Sequence, residues 1–434
     1  MFFILTTFGA EAYIRKEVAV RSDHASEFFG SLLVFQVIIS ILLVGIMTII
    51  MIVQEKDLEI FRAVYLFSMG QFFLNSNTKF NSLLQAKGRI NAIAILNTVT
   101  KVFWGIGIMV GLSIWKHIEV VGAVFFITES IKTPFLYSAC RKHINLRLNL
   151  NWTVGKAMLF ASFPYFLNSL SHTIASKVDV FMLAELTNNQ EVGWYGAAAN
   201  INYIVLLAMP VIIAVVTPMS ARIASAGEDE LNRTMRSIIR LTFIVTVPLA
   251  LLVSLNAREI ILTLFSEDYL PSVLSTQLLA PGVPLVFICT IFSIQLVQLE
   301  KIWQVTKISV ISLALNPILN AIVIVPVHQF LGKGGGGFAA ASATLVTSLV
   351  VAILMIQSLK GAALDKKMIV LFLRFVILCG IFIVVHHFIE FLGFWRGPVE
   401  LVLYPIVAIP LGVLPVKELL QTAKEFLKSR KKKS

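Results

Sequence analysis

FFGSLLVFQVIISILLVGIMTIIMIV, Phe28 to Val53, is 26 residues without a charged side chain. Coiled as a helix at 1.5 Å per residue it reaches about 39 Å, more than the ~30 Å hydrocarbon core of a bilayer. Its apolar character is continuous, whereas a membrane barrel strand alternates apolar and polar over about ten residues. The stretch therefore predicts a membrane-spanning helix, and it has companions. Long apolar runs bounded by charged or turn-forming clusters recur near 1–13, 62–84, 91–114, 118–138, 157–178, 195–220, 235–256, 271–297, 306–326, 337–358, 368–389 and 398–416. With short connections between about thirteen such segments, the chain reads as an all-α polytopic membrane protein.

Composition agrees. Of 434 residues, 57% are apolar and 14% charged, against roughly 25% charged in a soluble domain. A water-soluble enzyme of this composition would expose apolar patches large enough to aggregate, and a disordered chain needs the opposite balance. Cys140, Cys289 and Cys379 lie in or beside different segments, without the spacing of a disulfide framework or a metal site. They read as packing residues; no metal and no cofactor is expected.

The basic residues set the orientation. With the C-terminus cytoplasmic, 26 of the 36 Lys and Arg residues fall on inner connections and 6 on outer ones. The net charge of +12 then reflects topology and contact with anionic lipids. Nucleic acid is excluded as a partner, because the charge is scattered over short loops with no groove to collect it. The closing KSRKKKS, Lys428 to Ser434, lies against the inner leaflet or is an ordinary stop-transfer flank. MFFILTTFGAEAY, at the start, is too short to span and lacks the basic region of a signal peptide. It reads as the outer-to-inner remainder of a helix.

A faint internal repeat is visible. The pair of segments at 91–138 has a short outer loop and Val121-Gly122-Ala123, and the pair at 306–358 has GKGGGGFAAASA, Gly332 to Ala343, in the matching place. Short basic inner turns, Gln85 to Ile90 and Leu299 to Ile308, precede both. Units entering the membrane in the same direction are the parallel-repeat arrangement of two-lobed transporters.

Four elements then carry a family resemblance. KVDVFMLAELTNNQEVGWYGAAANI, Lys177 to Ile201, has a helix-end Asp, a short outer loop and Tyr-x-x-Ala. LFSEDYLPSVLSTQLLAP, Leu264 to Pro281, has Leu-Phe-x-x-x-Tyr, and Asn316 to Ala343 has Asn, Pro, Gly and Gly-x-Ala-Ala in order. FGAEAYIRKEVAVR, Phe8 to Arg21, is the fourth. Together they resemble the polysaccharide and oligosaccharide-lipid flippases of the multidrug/oligosaccharidyl-lipid/polysaccharide exporter superfamily. The resemblance implies two pseudo-symmetric helical lobes around a central cavity, plus two extra C-terminal helices. On that register the chain starts within helix two. Residues 1–150 form the first lobe, 151–362 the second, 363–418 the extra pair and 419–434 a basic cytoplasmic tail. It also implies the cytoplasmic membrane of a prokaryote, with a lipid-linked glycan as substrate and anionic lipids and glycan-assembly proteins as partners.

An ionisable group inside a span costs several kcal/mol unless it faces protein or water, so each is a functional candidate. Lys79, Lys101, Lys132 and Lys177 are the internal bases, Glu129 and Asp179 the internal acids. By depth, Lys79, Lys101 and Lys132 fall in the inner half to the middle of the first lobe, where ammonium groups could hold a lipid-linked phosphate or pyrophosphate. Against this, Glu129 and Lys132 at i, i+3 could simply neutralise each other, and Lys79 could snorkel to the surface. Glu129, His172, Lys177 and Asp179 are the candidates for coupling or gating, Asp179 as a coupling site for a proton or cation or as part of an outer gate. Lys177, two residues away, points elsewhere. His172 could titrate or pack, and His386 and His387 read as interfacial. Polar stripes support wet faces: Gln71, Asn75, Lys79 and Ser82 share one helix side, as do Tyr165, Asn168, His172, Ser176 and Asp179.

GKGGGG lacks the Lys-Ser/Thr of a nucleotide-binding loop and predicts a tight turn with close helix approach. No nucleotide motif occurs, so energy would come from an ion gradient, the membrane potential or the lipid gradient. Three functions remain open: a flippase for a lipid-linked oligosaccharide or polysaccharide repeat unit; a drug/cation antiporter of the same superfamily; and a membrane glycan polymerase or acyltransferase. The excess of internal bases over acids favours the first, and no catalytic residue is assigned.

Overall fold

The computed structural model describes residues 2–6, 9, 14, 25–55, 57–86, 90–144, 152–224, 227–359 and 365–414. Most of the Phe8–Arg21 element, the basic turn at 87–89 and the basic tail lie outside them. Among the described residues every regular element is helical. In chain order these are α1 (Ala25–Val53), α2 (Leu58–Ala86), α3 (Ile90–Trp115), α4 (Ile118–Ile144), α5 (Trp152–Leu186), α6 (Asn189–Leu206), α7 (Met209–Ala224) and α8 (Glu228–Leu255). There follow α9 (Ala257–Leu264), α10 (Ser272–Leu279), α11 (Gly282–Gln298), α12 (Ile302–Leu331), α13 (Gly335–Ser358), α14 (Lys366–Phe388) and α15 (Arg396–Ala408). Short 3-10 turns stand at Phe2–Thr6, Glu267–Tyr269 and Glu390–Trp395.

Ten stretches among the described residues are long and apolar enough to cross a membrane, fewer than the thirteen segments expected. The expected 1–13 segment lies mostly outside the described residues. The expected 62–84 and 157–178 segments are present as α2 and α5, helices of 29 and 35 residues. Their rows of Asn, Gln, Ser and His lower the mean hydropathy below that of a lipid-exposed span. For α2 the reason is visible: it is surrounded by neighbours, with Asn75, Ser76, Asn77, Lys79, Ser82 and Leu83 all buried. A helix shielded from lipid can carry polar groups, provided that they find partners.

The chain forms two compact units, Met1–Thr173 and Ile174–Ser434, with the boundary inside α5. In the first, α1 buries Phe29, Leu32, Gln36, Ser40 and Leu43 at helical spacing while Ile41 and Val53 are exposed. Phe29 and Phe80 stack with ring centroids 4.6 Å apart, bringing α1 onto α2. Gly122, the small residue of the repeat, lets α4 approach α2, since a Cβ there would stand 3.3 Å from the Ala63 carbonyl oxygen and 3.1 Å from Leu66.

In the second unit Leu231, Ile239, Phe243, Ile291, Phe292, Phe375 and Leu378 form the core between α8, α11 and α14. Arg236 pairs with Asp365 at 3.6 Å, and Asp365 caps α14 by accepting the Met368 N–H at 2.8 Å. A second cluster buries Leu183, Tyr195, Ile324 and Ala339 to Ala341. The alanines let α13 lie close to its neighbours, and this packing positions the site below.

Candidate functional site

Each unit holds a buried polar cluster, and the two are built on different principles. In the second unit, α5 presents Asp179, which is 8% exposed. Oδ2 accepts hydrogen bonds from the Tyr195 hydroxyl of α6 at 2.9 Å and the Thr344 hydroxyl of α13 at 2.8 Å. Oδ1 accepts from the Asn320 amide of α12 at 2.7 Å. Asn320 also donates to Asn316 Oδ1 at 3.1 Å, and Asn316 donates to Thr344 at 3.4 Å. The two asparagines stand four residues apart, so one face of α12 presents both. Asn320 Oδ1 is buried without a hydrogen-bond partner among the described residues. All three donors to Asp179 are neutral, and among the described residues it has no ion-pair partner. A carboxylate on α5 that accepts from two hydroxyls and one amide N–H of three other helices can accept a proton or a small cation.

In the first unit two of the buried charges meet each other. Lys132 Nζ lies 3.7 Å from Glu129 Oε2 on α4, both side chains nearly buried. Asn77 of α2 donates to the same carboxylate oxygen at 2.8 Å and to the Glu129 carbonyl at 2.9 Å. The Thr133 hydroxyl completes the cluster on Asn77 Oδ1 at 2.9 Å. Lys79 does not snorkel: it is fully buried and donates to Gln36 Oε1 of α1. Gln36 donates in turn to the Phe72 carbonyl at 2.7 Å and to Ser76 at 3.0 Å. Lys101 is exposed on α3. Each of the three lysines thus has its own surroundings.

The remaining expected residues divide in the same way. Gln71 donates to Asn75 at 3.0 Å, and Asn75 donates to Thr6 at 2.5 Å and to the Phe3 carbonyl at 3.1 Å. Ser82 is buried and donates to the Thr78 carbonyl at 3.0 Å. Asn168 is half-buried, while His172 and Lys177 are exposed. Ser176 lies in α5, but its side chain is outside the described ones.

Several members of these buried polar clusters are not conspicuous in the sequence. Gln36, Asn77, Asn316 and Asn320 are neutral, and a search for charges passes over them. Two amides at i, i+4 in an apolar helix were the available signal for the asparagines. Glu400, near the start of the last apolar run, is a further buried acid, 3% exposed. It accepts from Asn256 at 2.7 Å and meets His386 Nδ1 at 2.6 Å. His386 is therefore a half-buried partner of a buried carboxylate, whereas His387 is exposed. Glu400 and Tyr404 line an apolar cavity of about 300 Å³ between α8, α14 and α15.

The GKGGGG turn also has an occupant. Gly332 and Gly334 take φ of +68° and +84°, and a Cβ on Gly334 would stand 2.3 Å from the Pro271 carbonyl oxygen. The N-terminus of α13, where a phosphate could otherwise sit, is filled by the carboxylate of Glu191. Its oxygens accept the Gly334 N–H at 2.6 Å and the Gly337 N–H at 3.0 Å.

A family model described as polysaccharide biosynthesis protein matches residues 1–224, just over half of the chain. The chain belongs to the polysaccharide biosynthesis protein family. A second model, MatE, matches residues 164–322 of this family member and so takes in Asp179, Tyr195 and Asn320. Comparison with curated protein sequences gives no match. Among solved structures the family member is similar to the lipid II flippase MurJ in an inward closed conformation, with a TM-score of 0.69 and 17% identity over 96% of this chain and 91% of that one. It is also similar to a mutant of the Vibrio cholerae MATE transporter VcmN, with a TM-score of 0.67 and 15% identity over 83% of this chain and 85% of that one. An outward-facing multidrug resistance MATE family transporter of the MOP superfamily gives 0.66 and 14% over 84% and 85%. At such identities the likeness shows the fold, which is the all-helical membrane fold that the sequence resemblance implied.

Proposed function

We propose that this protein moves a lipid-linked oligosaccharide or polysaccharide repeat unit across the cytoplasmic membrane by alternating access, driven by a cation or proton bound at Asp179. One observation carries the coupled mechanism: a buried carboxylate on one helix held by neutral donors from three others, in a member of the polysaccharide biosynthesis family. Such a group is expensive to leave charged in a membrane interior. Taking up a proton or cation from one side would remove that cost and change which packing of the four helices is stable. The likeness to a lipid II flippase supports a lipid-linked glycan as cargo. The proposed contact with the headgroup phosphate narrows to Lys101, the exposed base, with Lys132 available once Glu129 lets it go.

The test is transbilayer movement of a labelled polyprenyl-linked glycan in proteoliposomes, with and without a sodium or pH gradient. Gradient-stimulated movement is expected in the wild type and should fall to the gradient-free level in Asp179→Asn. Stimulation that survives in Asp179→Asn would overturn the coupling role. The MatE match across Asp179 supports a second reading, a drug/cation antiporter. Uptake of an organic cation in the same vesicles, with no glycan movement, would favour it.

A further inference from the structure

Glu191 belongs to no part of the mechanism above, yet it is completely buried. Its position in sequence suggests an ordinary helix start. Asn188 caps α6 by accepting the Gln190 and Glu191 N–H groups, both at 3.0 Å, and an acid three residues after such a cap usually folds back on it. Here the side chain leaves its own helix. It takes two backbone N–H groups at the start of α13, which has no capping side chain of its own. His328, in the last turn of α12, stands 3.5 Å from the same carboxylate. One side chain on α6 is therefore hydrogen-bonded to the start of α13, with the end of α12 packed beside it.

Helices α6, α12 and α13 are the three that donate to Asp179. Tyr195 is one turn below Glu191 on α6, and Thr344 is ten residues, about 15 Å, beyond Gly334 on α13. The glycines keep the tie short: a Cβ on Gly336 would stand 3.1 Å from Glu191 Oε2 and from Thr187, and one on Gly337 2.9 Å from Ser275 Oγ. Charge-assisted hydrogen bonds to a helix N-terminus are among the stronger ones. The tie thus sets the axial position of α13 against α6, and with it the distance at which Thr344 and Tyr195 meet Asp179. We propose that Glu191 is a positioning residue for cation or proton binding at Asp179, acting through the first turn of α13. This inference rests on the coupling role of Asp179.

The experiment is a thermal-stability titration of the purified full chain in detergent, with NaCl at constant ionic strength and separately with pH. The wild type, Asp179→Asn, Glu191→Gln, Glu191→Ala and the double variant Glu191→Ala/Asp179→Asn are compared. The titration that Asp179→Asn abolishes identifies the ligand. In that titration Glu191→Ala is expected to shift the midpoint about tenfold, Glu191→Gln, which keeps one acceptor oxygen, by less, and the double variant to match Asp179→Asn in lacking any response. If Glu191→Ala lowers the melting temperature equally at every ligand concentration with no midpoint shift, Glu191 is a structural cap only and the inference fails. If Asp179→Asn leaves both titrations unchanged, the coupling reading fails and takes the inference with it.

Discussion

Lys132 and Asp179 are both buried charges on long helices, but they are kept buried in opposite ways. Lys132 has Glu129 one turn away, and the pair is neutral as a unit. Asp179 has Tyr195, Asn320 and Thr344, which supply hydrogen bonds and no charge. The first arrangement satisfies itself within one helix and its neighbour α2. The second supplies no opposite charge among the described residues, which is the feature the proposed ion coupling rests on. A self-neutralising pair suits a permanent contact, while a carboxylate among neutral dipoles suits reversible occupancy.

Substitution at the two clusters should break the comparison in different places. The largest expected functional loss is at Asp179. Asp179→Asn keeps the shape, and the hydroxyls of Tyr195 and Thr344 can turn to accept, so the melting temperature should change little while gradient-driven glycan movement disappears. The largest expected stability loss is at the pair. Glu129→Gln strands a buried ammonium and should cost about 3 kcal/mol, read as a fall in melting temperature. Glu129→Gln/Lys132→Met should recover most of it, because no charge then remains to be desolvated. Failure of the double variant to recover would mean that Lys132 is not neutralised mainly by Glu129.

Smaller effects sharpen the contrast. Lys101→Gln should leave stability unchanged, since the side chain is exposed, and raise the half-saturating concentration of lipid-linked glycan several-fold. His172→Gln should change neither stability nor transport measurably, because His172 stands on the exposed side of α5. A strong transport defect there would return His172 to the mechanism.

Much of the fold was legible because spans announce themselves: a run such as Phe28 to Val53 has few stable alternatives to a membrane helix. The buried acids Glu129 and Asp179 were legible for the same reason, as charges where charges are costly. Their partners were not. Asn77 and Asn320 carry no charge, and a span tolerates an amide at modest cost, so neither stands out. Glu191 was hidden by a local pattern that fits it well, the Asn-x-x-Glu helix start. The GKGGGG run offered a hint, since a helix that begins with three glycines after a glycine cap needs N–H acceptors from elsewhere.

Hydrophobic periodicity and length determine helices, because burying apolar side chains and pairing backbone groups depend on composition along a single segment. The sequence on its own thus settled that this chain is a bundle of membrane helices and which of its charges would be conspicuous. Whether a buried charge meets an opposite charge, a neutral dipole or a helix end depends on segments 16 to 165 residues away, as for Asp179 with Tyr195 and Thr344. Pairing energies fall off over a few ångströms, so only the packed helices could decide that Lys132 meets Glu129 while Asp179 meets neutral donors.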